Sequence, residues 1–177
     1  MNPLTKNHFE LFGLPERFSL DPAELDRAYR AVQSAVHPDR FAAAGDTDRR
    51  IAMQLATQVN EAYRTLRNPT GRAAYLCELN GADPQIHSNT AMPAGFLVQQ
   101  MEWRERLDDA SASRRRDELG RLREELEAAR HDLLRELASS LDDAGDFPAA
   151  AGWVRQLMFI DRFAVEVDDT EERLLQA

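Results

Sequence analysis

The chain reads Tyr29-Arg-Ala-Val-Gln-Ser-Ala-Val-His-Pro-Asp-Arg-Phe41 where one amphipathic helical pattern ends and a loop begins. Pro38 disfavours helical backbone at His37, so the preceding helix should end there. Because a second helical pattern follows, the tripeptide His37-Pro38-Asp39 is expected in the turn of a helical hairpin. Such a tripeptide could be only a turn, since Pro sets the backbone and Asp bonds its own neighbours. The function of the tripeptide must therefore be inferred from the sequence around it.

Two long helices are predicted on either side of this turn. Asp21 supplies an N-cap acceptor, and Pro22 takes the first position of a helix over about 22–36. The apolar face of this helix consists of Leu25, Ala28, Tyr29, Val32 and Val36. A second helix begins near Asp48 and stops before Pro69. Its nearly heptad seam consists of Ala52, Leu55, Val59, Ala62 and Leu66. These seams predict antiparallel packing of the two helices.

The remainder of the chain predicts a second helical domain. A short helix over about 72–80 closes a first domain, 1–81, and the proline-containing segment 82–93 lacks an apolar period, which is typical of a linker. Three helical segments then form a second domain, 94–177, with a turn at 142–148 between the last two. The apolar stripes of those two are Leu119, Leu122, Leu126, Leu133 and Leu137, then Trp153, Leu157, Ile160, Ala164 and Val167. We predict an all-α protein whose second domain is a three-helix bundle. An L-shaped arrangement of the two domains is an expectation that rests on the family resemblance given below.

Composition limits the classes of function. The 177 residues are 43% hydrophobic and 30% charged, which suffices for packed cores and a charged surface, as in globular cytosolic proteins. No apolar run approaches the roughly 18 residues of a membrane span, and residues 1–16 lack the apolar core of a secretory signal. We therefore expect a cytoplasmic protein without membrane contact. A net charge of −9 disfavours nucleic acid as a general partner, because such binding neutralises phosphates with Lys and Arg.

The reactive side chains form no recognisable catalytic or metal site. The single cysteine, Cys77, cannot form an internal disulfide, and its helical surroundings predict a small core residue. The four histidines lie too far apart in sequence for a local metal motif. Neither a Gly-rich phosphate loop nor a nucleophile elbow is present. We expect no catalytic residues and no need for a metal or nucleotide.

The segment Phe96-Leu-Val-Gln-Gln-Met-Glu-Trp-Arg-Glu-Arg-Leu-Asp-Asp109 carries apolar residues on two faces of a helix. At about 100° per residue, one face collects Phe96, Trp103 and Leu107, and the other Val98 and Met101. Beside the second face lie Glu102, Glu105 and Asp109. Leu97 falls between the two faces, and Phe159, which lies off its own helix stripe, could join the second. One bundle interface cannot bury both faces, so the second is either a binding site or packs against the first domain or the linker.

The hairpin, preceded by the apolar stretch Phe9-Glu-Leu-Phe-Gly-Leu14, resembles the J-domain of DnaJ-type cochaperones. In that family the tripeptide and the helix before it dock on a DnaK-class ATPase chaperone and stimulate its ATP hydrolysis. The chaperone contacts that this resemblance implies are His37, Pro38, Asp39, Arg27, Arg30 and Arg40. Ala31 and Ala35 stand where Lys is common, and this thinner basic patch fits a dedicated or weaker-binding partner whose encounter depends less on charge. For Arg27 and Arg30, a solvated helix face remains the alternative.

Three segments together resemble the HscB family, the J-type cochaperones of iron–sulfur cluster assembly. They are Phe9-Glu-Leu-Phe-Gly-Leu-Pro15, Asn68-Pro-Thr-Gly-Arg-Ala-Ala-Tyr-Leu76 and the acidic, apolar helix from Phe96. In that family the C-terminal domain binds the cluster scaffold protein IscU and delivers it to the chaperone HscA. The scaffold contacts that the resemblance implies are Leu97, Val98, Met101, Glu102, Glu105, Asp109 and Phe159.

Two of these positions depart from the family pattern, and other functions stay open. Val98 stands where a longer apolar side chain is familiar, and Asp109 stands where Glu is expected, so contact depth and reach can differ. A different client, acting with a general DnaK chaperone, is the main alternative function. An enzyme with an unrecognised site is a third, and it requires that the chain alone turn over a substrate.

Overall fold

The computed structural model describes residues 5–36, 45–82, 84 and 91–176. Within these residues the chain forms seven α-helices and no strand, which confirms the all-α prediction. The helices are α1 (His8–Phe12), α2 (Pro22–Val36), α3 (Asp46–Arg67), α4 (Pro69–Leu79), α5 (Ala94–Ala112), α6 (Arg116–Ala138) and α7 (Phe147–Gln176). The predicted chaperone contacts His37, Pro38, Asp39 and Arg40 lie outside the described residues, as does most of the predicted linker.

The chain divides into two compact units, Met1–Leu76 and Cys77–Ala177. The division falls within α4, so this helix contributes residues to both units. The first unit contains α1, α2 and α3, and the second contains α5, α6 and α7. None of the helices in the described ranges combines the length and apolarity that crossing a membrane requires.

Local interactions explain where α1 begins and ends. The Asn7 side chain accepts a bond from the Glu10 N–H at 2.9 Å, and the Glu10 carboxylate accepts one from the Asn7 N–H at 2.9 Å. This capping box starts α1, and Gly13 ends it in the left-handed region at φ 66°. The short helix places Phe9 and Phe12 in the core.

The predicted hairpin helices pack through an aromatic and polar seam. The Tyr29 and Tyr63 rings stack with centroids 4.0 Å apart. The Tyr63 hydroxyl donates to Asp26 at 2.7 Å, and the Tyr29 hydroxyl donates to Asn60 at 2.9 Å. These bonds satisfy the polar tips of two rings whose bodies cover apolar surface. The α2 boundaries agree with the prediction, and the predicted α3 seam is buried at Ala52, Val59, Ala62 and Leu66.

Helices α3 and α4 start earlier than the sequence pattern indicated. α3 begins at Asp46 rather than Asp48. α4 begins at Pro69 rather than near residue 72, because Asn68 acts as its cap: the Asn68 side chain accepts a bond from the Gly71 N–H at 3.0 Å. Asn followed by Pro at the first helical position is a start signal, whereas the prediction had used Pro69 only as a stop.

His8 makes the stability of the first unit depend on pH. Its ring stacks on Tyr75 with centroids 4.1 Å apart, and burial lowers its pKa below the ordinary value of 6.5 against an opposing effect of Glu61. The fold therefore favours neutral His8. Its contribution is fully present above about pH 6.5 and is lost as the pH falls from there through the folded pKa.

We accordingly expect the wild-type protein to lose stability relative to a His8→Phe variant as the pH falls from 7.5 to 5. Phe keeps an aromatic ring against Tyr75 but does not titrate. Thermal unfolding of both proteins across this range measures the difference. The exposed His131 on α6 provides a control, since a His131→Gln variant should follow the wild type. If the unfolding midpoints of wild type and His8→Phe change in parallel with pH, the pH dependence does not come from His8.

The second unit is a three-helix bundle with a leucine-rich core. The predicted stripe of α6 is buried throughout: Leu119, Leu122, Leu126, Leu133 and Leu137. In α7, Leu157, Ile160 and Val167 are buried as predicted, whereas Trp153 and Ala164 are only half-buried. The α7 core also contains Ala150, Ala151, Val154 and Phe163, which the predicted stripe omitted. The core face of α7 is therefore wider than one stripe.

The connection between α6 and α7 is shorter than predicted. A π-helical segment, Ser139–Ala144, continues α6 and ends at Gly145 in the left-handed region at φ 63°. α7 then starts at Phe147, where the Asp146 carboxylate accepts a bond from the Ala149 N–H at 3.0 Å. The predicted turn at 142–148 thus contracts to two residues, because both flanking helices extend into it.

Cys77 is a core residue, as its helical surroundings predicted. Its side chain is fully buried, and its Sγ lies 3.7 Å from the Phe147 carbonyl oxygen. Burial, with a smaller effect of Glu78, raises the pKa of the thiol to about 11. Since the thiolate is the reactive form, this cysteine is protected from nucleophilic and redox chemistry.

Candidate functional site

Ionic contacts with α6 fix the rotation of α5 about its axis. Arg106 donates through Nε to Glu118 at 2.8 Å and through Nη1 to Glu125 at 2.6 Å. The Trp103 indole N–H also donates to Glu125, at 3.3 Å. Hydrogen bonding to Arg106 holds the pKa of Glu118 below its usual range, and hydrogen bonding to Glu125 raises the pKa of Arg106. Both members of the pair stay charged near neutral pH.

Four aromatic rings join α5 to α7. Phe159 stacks on Phe163 with centroids 5.6 Å apart and meets the edge of Phe96 at 5.8 Å. Phe96 also makes an edge contact with Trp103 at 6.1 Å, and Trp103 stacks on Phe163 at 6.5 Å. Phe163 and Trp103 are buried, whereas Phe159 and Phe96 are half-buried. Phe159 is therefore held in place by the buried Phe163 and the half-buried Phe96, while part of its own surface stays accessible.

The opposite face of α5 is apolar and exposed. Trp103 and Leu107 point into the core, as predicted, whereas three apolar side chains remain largely accessible. The exposed fractions are 44% for Leu97, 55% for Val98 and 72% for Met101. Three exposed carboxylates accompany them: Glu102, Glu105 and Asp109. We call these six residues the α5 strip.

A groove of about 590 Å³ runs beside the α5 strip. Its lining consists of Gln100, Met101, Arg104, Glu105, Asp108, Asp109 and Phe159. The structure thus brings Phe159 of α7 together with Met101, Glu105 and Asp109 of α5 along one groove. Leu97, Val98 and Glu102 do not line this α5 groove.

Sequence reasoning missed three residues of the groove wall: Gln100, Arg104 and Asp108. They repeat at i, i+4 and i+8, one position before Met101, Glu105 and Asp109, so helical spacing alone could have placed them on an adjoining row. Arg104 pairs with Glu166 at 2.6 Å and lies over the Phe163 ring, 5.0 Å from its centroid. Its position depends on α7, which the pattern of α5 does not show.

In the first unit, the structure describes two of the residues assigned to the chaperone contact. Arg27 and Arg30 are both exposed and lie three residues apart on one face of α2. An Nη atom of Arg27 lies 4.0 Å from a carboxylate oxygen of Asp21. Such an exposed pair contributes little to stability, so Arg27 remains accessible to a partner.

The described residues contain no group of three or more His, Cys, Asp or Glu side chains that could hold a metal ion. The grooves on the second unit are open surfaces whose carboxylates are mostly paired with arginines or exposed to solvent.

Comparison with known proteins identifies the family. Residues 92–168 match a family model described as the HSCB C-terminal oligomerisation domain. Across 174 residues the chain is 55% identical to a protein named Co-chaperone protein HscB homolog from Burkholderia thailandensis, covering 98% of this chain and 99% of that one. The chain belongs to the HscB family of co-chaperones.

Other HscB proteins are also similar to this chain, either in sequence or in both sequence and fold. The HscB homolog of Burkholderia multivorans is 56% identical over 98% of this chain and 99% of its own length. Chaperone HscB from Vibrio cholerae matches with a TM-score of 0.83 and 38% identity, over 96% of this chain and 99% of that chain. Human co-chaperone protein HscB matches with a TM-score of 0.86 and 25% identity, over 93% and 81% of the two chains. The resemblance to the HscB family is thereby confirmed.

Proposed function

We propose that this protein stimulates the ATPase of a DnaK-class chaperone of the HscA type in the cytoplasm and delivers an IscU-type iron–sulfur scaffold to it. The first domain, with its His37-Pro38-Asp39 tripeptide, is the proposed chaperone contact. The second domain is the proposed scaffold contact, and the delivery aids maturation of iron–sulfur proteins. The observation that carries the proposal is the exposed α5 strip on a member of the HscB family.

Exposure of apolar side chains to water is unfavourable, so the apolar residues of the α5 strip favour burial against a partner. Burying a Leu or Met side chain in an interface stabilises a complex by about 1.5–3 kcal/mol. The neighbouring carboxylates favour a client whose apolar patch is bordered by Lys or Arg. The half-buried Phe159 offers a rigid apolar contact at the floor of the α5 groove.

The proposed mechanism combines two docking surfaces on one chain. A partner that binds one state of a two-state chaperone better than the other shifts its population and accelerates a gated reaction without taking part in it. Attaching the scaffold to the same molecule raises its effective concentration at the chaperone. ATP hydrolysis then occurs in the chaperone, and this protein needs no cofactor and is not an enzyme.

Steady-state ATPase assays and a binding titration test the proposal. We expect the chain to hydrolyse no ATP alone, to raise the rate of an HscA-type chaperone, and to raise it further with the scaffold present. Calorimetric titration should show one-to-one binding of the scaffold to the full chain. Stimulation without scaffold binding would instead support an adaptor for a different client, and substrate turnover by the chain alone would support an enzyme.

A further inference from the structure

The side-chain amide of Gln100 is an unusual feature of the α5 groove. Its Nε2 atom is shielded from solvent, and no hydrogen-bond acceptor reaches it among the residues that the structure describes. Gln100 nevertheless lines the α5 groove beside Met101 and Phe159. Burying an amide N–H without a partner is destabilising, because the group loses its bonds to water and gains none.

Neighbouring donors on the same unit have partners. The Gln99 amide donates to Glu102 at 3.2 Å, and Arg104 donates to Glu166 at 2.6 Å. The buried Gln156 donates to the Gly152 carbonyl at 3.5 Å. Gln100 thus differs from these side chains in lacking an acceptor within the described part of the second unit.

We propose that Gln100 is a further scaffold-contact residue, whose Nε2 donates to a main-chain carbonyl of the client segment seated in the α5 groove. This inference rests on the proposed function. The final torsion of a Gln side chain has a broad, shallow preference, so its amide can turn toward the groove at small cost. A bound client then supplies the acceptor that the free protein lacks.

The charges around the α5 groove determine the kind of acceptor. Three carboxylates line it, those of Glu105, Asp108 and Asp109, and the Arg104 guanidinium is already paired with Glu166. A client carboxylate would be repelled by this surface, whereas a neutral carbonyl would not. The client segment therefore places an apolar side chain against Met101 and Phe159 and turns a main-chain carbonyl toward Gln100.

A Gln100→Met substitution separates this role from a structural one. Met has a similar length but no polar group that needs a partner. We expect the dissociation constant for the IscU-type scaffold to rise about three- to tenfold, the effect of one lost hydrogen bond. The thermal unfolding midpoint of the free protein should rise, because an unsatisfied buried amide is removed. Gln100→Glu, which keeps the size but removes the N–H donors, should weaken binding at least as much.

Matched variants make the outcomes distinct. Gln156→Met removes a buried amide that already has its bond, so it should change scaffold affinity less than twofold and should not raise the unfolding midpoint. Met101→Ala tests the scaffold site itself. If Met101→Ala weakens binding while Gln100→Met changes it less than threefold, or if Gln100→Met lowers the midpoint, the inference about Gln100 is wrong and the proposed function stands. If neither variant weakens binding, both are wrong.

Discussion

The double substitution Leu97→Ala with Met101→Ala is expected to weaken binding of the IscU-type scaffold by about a hundredfold or more. Both residues are exposed, at 44% and 72%, and neither belongs to the buried core, so their truncation leaves the bundle core intact. In the proposed complex each becomes buried, and losing two such contacts would cost about 3 kcal/mol, which corresponds to roughly a hundredfold in affinity. Isothermal titration calorimetry measures the loss, and circular dichroism should show unchanged helicity.

The same variant should stimulate the chaperone ATPase normally in the absence of scaffold, because the substituted residues lie on α5 and the proposed chaperone contact lies in the first domain. A control is available on α7, where Val165 and Leu175 are exposed to a similar extent, 57% and 59%. Replacing both of these by Ala removes comparable apolar surface outside the strip and should not change scaffold affinity. Scaffold affinity that the strip variant leaves unchanged would remove the client assignment.

Periodicity was sufficient to predict the helices because each buries a face that repeats every three or four residues. The α6 face was predicted fully, as Leu119 to Leu137 illustrate, whereas in α2 only Leu25 of the predicted apolar face is buried. The width of the α7 face was not predicted, and Phe163 shows why. Phe163 lies beside the α7 stripe and is buried because Phe159 and Trp103 stack against it and Arg104 lies over its ring. Those contacts come from tertiary packing, which a single helix pattern does not contain.

The candidate site, too, was only partly predictable from the sequence. The helical wheel predicted that one bundle contact would bury only one of the two apolar faces of α5, but it left open whether the other face was exposed. The groove wall was not predicted, because the positions of Gln100 and Arg104 matter only once α7 brings Phe159 alongside. The unsatisfied amide of Gln100 could not be seen in the sequence at all, since hydrogen-bond partners are defined by three-dimensional neighbours.

A His37→Gln or Asp39→Asn substitution is expected to reduce chaperone stimulation to near the basal ATPase rate. Both residues lie outside the described residues, so the expectation rests on the J-domain resemblance and on membership of the HscB family. A chaperone responds only to a partner that binds its two states unequally, and removing the group that makes the distinction removes the stimulation. Steady-state ATPase measurements test this, with His131→Gln on α6 as the control. Wild-type stimulation by either tripeptide variant would refute the assignment.

Mixing the His37→Gln variant with the Leu97→Ala, Met101→Ala variant tests whether the two surfaces must share one chain. The mixture contains an intact chaperone contact on one molecule and an intact scaffold site on the other. If the protein works by tethering, the extra ATPase stimulation by scaffold should stay absent, because the scaffold is no longer held near the chaperone. Full restoration in the mixture would show that the two contacts act independently, and delivery by a single chain would then be wrong even if both contacts are real.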